Sequence, residues 1–297
     1  MSGSSSQLTL HSPAKTNLML SVHPRRADGF HELTSLIVAL DFGDTLYVDV
    51  ADRCDALTCS DLTVPTGTEN LVLRAAERFR AYMGRDVHFS FHLEKRIPMG
   101  AGLGGGSGNA AVALKGMNSL LGEPLSLKDL QAIAADLGSD CPFFIEQKPA
   151  IMRGRGEILE TLPESVAAGL RGQRLLLFRP EFPVATAWAY GELISAAPGS
   201  YESPEGANQR LESFVRGITS LDQLLFNSFE EAIGRKYLAI SALLRQLREA
   251  DVPCLMSGSG SCCFALLLDG GPKSEAIQAE IRSAWGESVF LVETSIA

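Results

Sequence analysis

A glycine-rich segment at residues 98–108 constrains the fold of this chain more than any other feature. Six glycines and one serine lie within these eleven residues, between a strand-like pattern and a helix-like one. Glycine permits tight turns and leaves backbone N–H groups uncovered, and a helix that begins there adds the positive end of its dipole. The natural ligand of such an anion site is a phosphate chain. The sequence therefore predicts a nucleotide-binding loop.

The known alternatives for such a segment fit less well. A P-loop needs Lys after its last glycine, but Ser107 follows Gly106 and the next lysine is Lys115. The dinucleotide-binding pattern GxGxxG can be read onto the segment, yet it requires an acid at the end of a second strand about 20 residues later. Glu123 falls in a turn instead. A flexible linker would not lead directly into an amphipathic helix.

Length and charge exclude several classes of protein. The 297 residues suffice for one large or two ordinary domains, and 45% hydrophobic residues suffice for a core. A net charge of −9 argues against a general binder of nucleic acids or membrane surfaces. The first residues lack the pattern of a signal peptide, and no Arg precedes Arg25. We expect a cytoplasmic protein with no nucleic-acid or membrane partner; its oligomeric state stays open.

Cysteine and histidine spacing predicts neither disulfides nor a metal site. The six cysteines form no CxxC pair, and Cys254, Cys262 and Cys263 lie in apolar stretches typical of a core. His88 and His92 are four residues apart, as zinc ligands on a helix can be. They alternate with apolar residues, however, which indicates one face of a strand. Metal ligands therefore stay unknown at this stage.

Periodicity predicts a succession of strands and helices typical of an α+β protein. In the first half we expect a strand at 46–50, a helix at 71–83 ended by Gly84, a strand at 88–94, a helix from the glycine segment to 121, and a helix from a Ser126–Asp129 capping box to Leu137. In the second half we expect a break at 163–172, a strand at 175–178, a helix capped by Thr186 through Ile194, a loop at 197–207, a long helix at 228–250, a strand–loop–strand unit at 254–268, a helix at 274–285 and a strand at 288–293. Two domains, 1–162 and 163–297, follow from this order.

Other segments carry chemistry, although each has an ordinary structural explanation by itself. Residues 257–261, Ser-Gly-Ser-Gly-Ser, read as a tight hairpin that could line the same site as the first loop. Lys15, in Pro-Ala-Lys-Thr-Asn, would alone be a solvated surface charge. Asp140, in Gly-Ser-Asp-Cys-Pro, would alone be a turn aspartate. Residues 25–31 concentrate charge, an aromatic ring and a histidine.

Taken in this order, the segments resemble the galactokinase–homoserine–mevalonate–phosphomevalonate (GHMP) kinase superfamily, from residue 12 to about 268. Residues 13–18, 26–33, 69–71 and 137–142 are similar in more detail to the 4-diphosphocytidyl-2-C-methyl-D-erythritol kinases of non-mevalonate isoprenoid synthesis. The resemblance implies a two-domain fold of two-layer α/β sandwiches with the active site between them. Residues 1–162 would be the N-terminal, ATP-binding domain and 163–297 the C-terminal domain.

The resemblance also implies roles for individual residues in transfer of phosphate from ATP, with Mg²⁺, to the 2-hydroxyl of the cytidyl substrate. Lys15 and Asp140 would be the catalytic pair. His31 would hydrogen-bond cytosine, and Phe30 and Tyr190 would stack on its two faces. The substrate-binding residues implied are Asn17, Phe30, His31, Thr186 and Tyr190. The ATP-binding residues implied are Asn70 and Lys95, which match positions that contact adenine in the family, and, for the ATP phosphates, Pro98, Met99, Gly100, Ala101, Gly102, Leu103, Gly104, Gly105, Gly106, Ser107 and Gly108.

This chain departs from the family pattern at two positions. Phe30 stands where the family often has Tyr, and Gly108 follows Ser107 where a second Ser is usual. Another small-alcohol kinase, such as a homoserine or mevalonate kinase, is the nearest alternative, although residues 26–33 argue against it. A decarboxylase of the same fold is a further one. The presence of Lys15 and Asp140 argues against a non-catalytic nucleotide sensor.

Overall fold

The computed structural model describes residues 7–26 and 29–297. The chain forms two compact units, each discontinuous in sequence. Unit 1 contains Met1–Ala14, Phe42–Met99 and Gly104–Gln147, and unit 2 contains Lys15–Asp41, Gly100–Leu103 and Lys148–Ala297. The domain boundary expected between residues 162 and 163 stays a prediction. The N-terminal residues used to argue against a signal peptide, and Ala27 and Asp28 of the 26–33 motif, lie outside the described residues.

Unit 1 combines a sheet with packed helices. Its strands are β1 (Leu8–Arg25) and β2 (His31–Ala51), which both continue into unit 2, β3 (Ala56–Cys59) and β4 (His88–Glu94). Its helices are α1 (Leu71–Met83), α2 (Gly105–Leu120), α3 (Leu127–Leu137) and α4 (Phe143–Glu146). The strand order is β3-β4-β2-β1, with β4 antiparallel to β2 and parallel to β3. The first three helices pack against one another.

Local sequence signals explain most element ends in unit 1. The Asn70 side chain caps α1, and Gly84 ends it with φ 60° in the left-handed region. The capping box of Ser126 and Asp129 begins α3, as predicted. The predicted strand at 46–50 is part of the much longer β2, in which Leu46 and Val48 are buried and Val50 is 47% exposed.

Unit 2 contains a second sheet of four strands in the order β11-β7-β10-β9. Strands β8, β5 and β6 extend from β1 and β2: β8 pairs with β1, β5 with β2, and β6 with β5. The elements are β5 (Ala150–Arg153), β6 (Ile158–Thr161), α5 (Glu164–Leu170), β7 (Arg174–Arg179), α6 (Thr186–Ser195), α7 (Pro204–Val215), α8 (Leu221–Leu224), β8 (Phe226–Asn227), α9 (Ser228–Lys236), α10 (Leu238–Glu249), β9 (Cys254–Met256), β10 (Cys263–Leu266), α11 (Ser274–Trp285) and β11 (Phe290–Ser295). The apolar residues 175–178 are fully buried in β7, as their sequence predicts.

The single long helix predicted at 228–250 is wrong, because two helices occupy this range. Tyr237 separates them with φ −98° and ψ 69°, outside the helical region. Its ring stacks on that of Phe182, with centroids 4.9 Å apart and an interplanar angle of 13°. No proline marks the break, and the apolar periodicity continues on both sides. Tertiary packing therefore overrides a helical pattern here.

Two further segments predicted as non-helical, each containing proline, include helical residues. The break predicted at 163–172 contains α5, which begins directly after Pro163. The loop predicted at 197–207 ends at Ser203, whose side chain caps α7 by accepting from Gly206 N, with Pro204 at the first position of the helix. Proline interrupts a helix interior but is favourable at its first turn, where its missing N–H has no partner to lose.

The predicted core cysteines are buried thiols. Cys254, Cys262 and Cys263 are buried, and all six cysteines are free. Burial raises the pKa of the Cys262 thiol to about 12, so it stays neutral at physiological pH. Within residues 7–26 and 29–297, no helix has both the length and the apolar character needed to span a membrane.

Candidate active site

The glycine segment 98–108 changes from a turn into a helix at Gly105. Gly104 precedes α2 with φ 70° and ψ 16°, and its carbonyl accepts the first helical bond, from Gly108 N at 2.8 Å. The N–H groups of Gly105, Gly106 and Ser107 therefore begin the helix without helical acceptors. Among the described residues no side chain caps α2, and no acid lies in its first turn, whereas α1 and α3 are capped. The positive end of α2 is thus available to an anion.

Gly106 and Gly108, in the first turn of α2, differ in the space around them. A Cβ on Gly106 would meet only Leu71 Cδ1, at 3.8 Å, so the backbone there is open. A Cβ on Gly108 would lie 3.1 Å from Pro13 O and 3.2 Å from Ser12 Oγ. Gly108 therefore faces β1 at close range.

Asp140 lies in the turn between α3 and α4, and this turn contacts the start of α2. The turn is closed by Cys141 N donating to Gly138 O at 3.1 Å. The Ser107 side chain is hydrogen-bonded to the Cys141 thiol, whose pKa burial raises to about 11. Arg74 of α1 is close enough to act electrostatically on the same thiol. The structure therefore brings two predicted site segments together and adds a cation that the sequence analysis did not single out.

The side chains of Asn70 and Lys95, expected to contact adenine, are engaged within unit 1. Asn70 accepts from Val72 N at 2.9 Å and donates to Pro65 O at 2.6 Å. Lys95 Nζ lies 2.6 Å from Asp44 Oδ2, with only 7% of the Lys95 side chain exposed. Burial lowers the pKa of Lys95, and the Asp44 charge opposes that shift. Contact of these residues with adenine stays a prediction.

Lys15 is a buried, oriented cation rather than a solvated surface charge. It belongs to the part of β1 in unit 2 and is 5% exposed. Its Nζ donates to Asn17 Oδ1 at 2.8 Å, and Asn17 Nδ2 donates to Ser35 Oγ at 2.8 Å. Asn17, predicted to bind substrate, thus uses its amide to hold the lysine. A buried ammonium with a fixed direction is suited to stabilising a developing negative charge.

The second glycine-rich segment lies beside Lys15 and the middle of the first one. Residues 257–261 connect the antiparallel strands β9 and β10, as predicted for a hairpin. Ser257 Oγ donates to Gly102 O at 3.1 Å, and Lys15 N donates to Leu103 O at 2.9 Å. A Cβ on Gly102 would lie 2.3 Å from Ser257 O, so only glycine fits there. Within unit 2, both glycine segments therefore meet at the predicted catalytic lysine.

His31, predicted to hydrogen-bond cytosine, is buried, and one of its ring nitrogens has no hydrogen-bond partner among the described residues. Its Nδ1 lies 3.0 Å from the carbonyl oxygen of His23, and because a carbonyl only accepts, Nδ1 carries a hydrogen. Its Nε2 is buried and has no hydrogen-bond partner among the described residues. The rings of Tyr190 and Tyr201 each lie 5.5 Å from the His31 ring. Such an unpaired buried atom is costly unless a ligand satisfies it.

The remaining predicted substrate residues lie around this ring or near the second glycine segment. Phe30 is 52% exposed, and the Arg155 guanidinium lies 4.7 Å from its ring centroid. Thr186 is the first residue of α6, not its N-cap as predicted, and its hydroxyl lies 2.9 Å from Ser259 Oγ. Tyr201 and Arg155 were missed, because neither belongs to a motif and both reach the site through tertiary folding.

Comparisons with known proteins show the family of this chain. Residues 70–148 match the family described as GHMP kinases N terminal domain, and residues 205–290 match GHMP kinases C terminal. A relative from Synechococcus sp. (strain CC9902), named 4-diphosphocytidyl-2-C-methyl-D-erythritol kinase, is 39% identical over 88% of each chain. One of the same name from Methylacidiphilum infernorum is 36% identical over 91% of this chain and 89% of its own.

Solved structures support the same assignment. A crystal structure of 4-(cytidine 5'-diphospho)-2C-methyl-D-erythritol kinase covers 98% of this chain and 100% of its own, with a TM-score of 0.76 and 32% identity. A homoserine kinase from Cytophaga hutchinsonii, 19% identical, has a TM-score of 0.70 over 100% of this chain and 96% of its own and shows the shared fold alone. The predicted α+β fold of the GHMP kinases is confirmed, and the chain belongs to the 4-diphosphocytidyl-2-C-methyl-D-erythritol kinase family.

Proposed function

We propose that this protein transfers the γ-phosphoryl group of ATP to the 2-hydroxyl of 4-diphosphocytidyl-2-C-methyl-D-erythritol, in non-mevalonate isoprenoid synthesis. Relatives of that name are 34–39% identical over most of the chain. The single observation that carries the substrate assignment is the buried Nε2 of His31, which has no partner in the described part of the chain and lies beside two tyrosine rings. This arrangement is suited to reading the polar edge of a nucleobase.

Residues 98–108 are proposed to bind the ATP phosphates. The uncapped, acid-free start of α2 supports this, because its N–H groups and dipole favour negative charge. Among the described residues no cluster of three metal-ligating side chains exists. That fits Mg²⁺, which takes one or two protein ligands together with phosphate oxygens. Ser107 is the proposed protein ligand, and the bound ion would neutralise phosphate charge.

Lys15 and Asp140 are proposed to act on the acceptor hydroxyl. A bond forms between the substrate's 2-oxygen and the γ-phosphorus, while the bond from that phosphorus to the bridging oxygen of ADP breaks. Asp140 would accept the hydroxyl proton or orient it. Because a carboxylate is a weak base for an alcohol, the proton moves late. Lys15, held by Asn17, would stabilise the emerging negative charge.

Base recognition is proposed to combine stacking with one directional hydrogen bond. Phe30 and Tyr190 would stack on the two faces of the cytosine. In the neutral His31 ring, Nδ1–H donates to the His23 carbonyl, which leaves Nε2 as an acceptor. That acceptor suits the 4-amino group of cytosine. Uracil presents a carbonyl oxygen at the same position, so two acceptors would face each other.

The proposal is tested with a panel of acceptors in the presence of Mg-ATP, with ADP release as the readout. We expect turnover of the cytidyl substrate and no turnover of homoserine or mevalonate. Robust phosphorylation of either amino or hydroxy acid without turnover of the cytidyl compound would overturn it. A carbon dioxide electrode added to the same assay tests for decarboxylation.

The domain division is also proposed to follow the sequence-based prediction, with the boundary between residues 162 and 163. One family match, at 70–148, lies entirely before this boundary, and the other, at 205–290, lies entirely after it. Limited proteolysis that cuts first near residue 162 would support the boundary.

A further inference from the structure

Asp44 of β2 is a completely buried carboxylate, with 0% of the residue exposed. Its Oδ2 accepts from Lys95 Nζ at 2.6 Å and from Asn109 Nδ2 at 2.9 Å. Its Oδ1 accepts from Arg96 N at 2.7 Å and from Ile97 N at 2.8 Å. A buried carboxylate persists only when its oxygens are satisfied in this way. Asp44 is therefore a fixed point in unit 1.

The donors to Asp44 belong to two segments that flank the glycine segment. Residues 95–97 come directly before residues 98–108, and Asn109 comes directly after them. One carboxylate therefore holds both ends of the segment proposed to bind the ATP phosphates. The sequence gives no sign of this link, because Asp44 lies 51 residues from Lys95 and 65 from Asn109.

The surroundings of Asp44 leave little room for the anchor to move. A Cβ on the preceding Gly43 would lie 2.3 Å from Ser12 O. Asn109 Nδ2 also donates to Ser12 Oγ at 2.9 Å, which ties α2 to β1. A Cβ on Gly105, the first residue of α2, would lie 3.0 Å from Lys95 Nζ. The Lys95–Asp44 pair thus lies directly against the start of α2.

We propose that Asp44 is a positioning residue for ATP binding. It fixes the distance between residues 95–97 and the start of α2, so the N–H groups of the glycine segment are pre-organised before the nucleotide arrives. Pre-organisation strengthens binding because the segment loses less freedom on association. The inference rests on the proposed role of residues 98–108. Asp44 itself is buried and would not touch the nucleotide.

Asp44→Asn is the direct test. The substitution keeps the shape of the side chain but replaces one acceptor oxygen with an amide nitrogen, which is a donor. Lys95 and Asn109 then compete for too few acceptors. We expect KM for ATP to rise at least about tenfold, while KM for the cytidyl substrate and kcat at saturating ATP change less than about threefold. The dissociation constant of a fluorescent N-methylanthraniloyl ATP, measured without acceptor, should rise in parallel.

Asp55→Asn is the matched control. Asp55 is another mostly buried carboxylate of unit 1, which accepts from Arg80 Nη1 at 2.6 Å and from Phe89 N at 2.9 Å. Neither donor lies next to the glycine segment. We expect this variant to lose thermal stability with nucleotide affinity unchanged. If Asp44→Asn behaves the same way, with a lower Tm and unchanged nucleotide affinity, Asp44 is structural only and the proposal is overturned.

A second variant keeps the inference testable if Asp44→Asn does not fold. Asn109→Leu removes the α2 side of the anchor together with the hydrogen bond to Ser12, and we expect it to raise the dissociation constant of the ATP analogue about threefold or more. An unchanged constant in this folded variant would overturn the proposal. If the wild type binds the analogue but does not phosphorylate the cytidyl substrate, the proposed function fails. The dissociation constants of the variants then still show whether Asp44 positions the ATP-binding segment.

Discussion

Replacing His31 by phenylalanine should remove the preference for cytosine while keeping the binding site intact. The phenyl ring can retain the contacts that His31 makes with Tyr190 and Tyr201, both at 5.5 Å between centroids. It lacks the acceptor nitrogen that the structure leaves buried and unpartnered. The variant therefore separates the hydrogen bond from the shape of the ring.

The magnitude follows from that one nitrogen. With cytosine bound, His31 Nε2 gains a hydrogen bond worth about 0.5–1.5 kcal/mol. With uracil bound, the bond is lost and a buried acceptor stays unsatisfied, which costs about 1–3 kcal/mol. The two effects add to roughly 1.5–4.5 kcal/mol, or a ratio of about 10 to 2,000 in kcat/KM. His31→Phe should reduce this ratio to below about five, mainly by losing activity on the cytidyl compound.

The assay compares kcat/KM for the cytidyl substrate and its uridyl analogue in wild type and variants, with melting temperatures measured alongside. Phe30→Ala is the control, because stacking is worth about 1–3 kcal/mol for any base. It should weaken both compounds alike and preserve the ratio. A wild-type ratio retained in His31→Phe would refute the reasoning, and so would a ratio near one in the wild type.

Further variants test the other parts of the proposed site. Asp140→Asn should lower kcat by about 10²–10⁴-fold with little change in ATP affinity, and near-native turnover would make Asp140 an ordinary turn residue. Arg155→Leu should raise KM for the cytidyl substrate about two- to fivefold, because it removes the 4.7 Å contact with the Phe30 ring. It should have no effect in a Phe30→Ala background, and equal effects in both backgrounds would contradict this. The Tm should fall as pH rises from about 9 towards 11, because the unfolded Cys141 thiol ionises near its ordinary pKa of 9.0 while the folded thiol holds its proton to about 11. Cys141→Ala should flatten this fall, and an unchanged slope would assign the loss to other groups.

Sequence reasoning predicted the structural elements whose signals are local. The glycine segment, the capping box at Ser126 and the turn at Asp140 each contain their own signal within a few residues, and the structure has the expected elements there. Lys15 was predicted as a catalytic residue through the motif that contains it. Its burial was not predictable, because one lysine considered alone does not show whether it is buried. Residue types with fixed backbone or chemical preferences are therefore read well from sequence.

The missed features all depend on contacts between distant parts of the chain. Asp44 is an unremarkable acid in sequence, and only folding brings Lys95 and Asn109 to it. Tyr201 lies 170 residues after His31 in the sequence, in a loop with no motif, yet the centroids of the two rings are 5.5 Å apart. The break at Tyr237 falls within a continuous helical periodicity, and the Tyr237 ring stacks on that of Phe182, which is distant in sequence. Such features follow from packing, which one sequence does not reveal.

The structure of the reaction product tests the central claim most directly. Incubation with Mg-ATP and the cytidyl substrate, followed by proton-coupled phosphorus NMR, reports both whether phosphate is transferred and where it goes. We predict one new phosphomonoester resonance that is a singlet, because carbon 2 carries no hydrogen, formed in equal amount to ADP. Inorganic phosphate alone, or a phosphomonoester resonance split by the hydrogens of a primary or secondary alcohol carbon, would contradict the account.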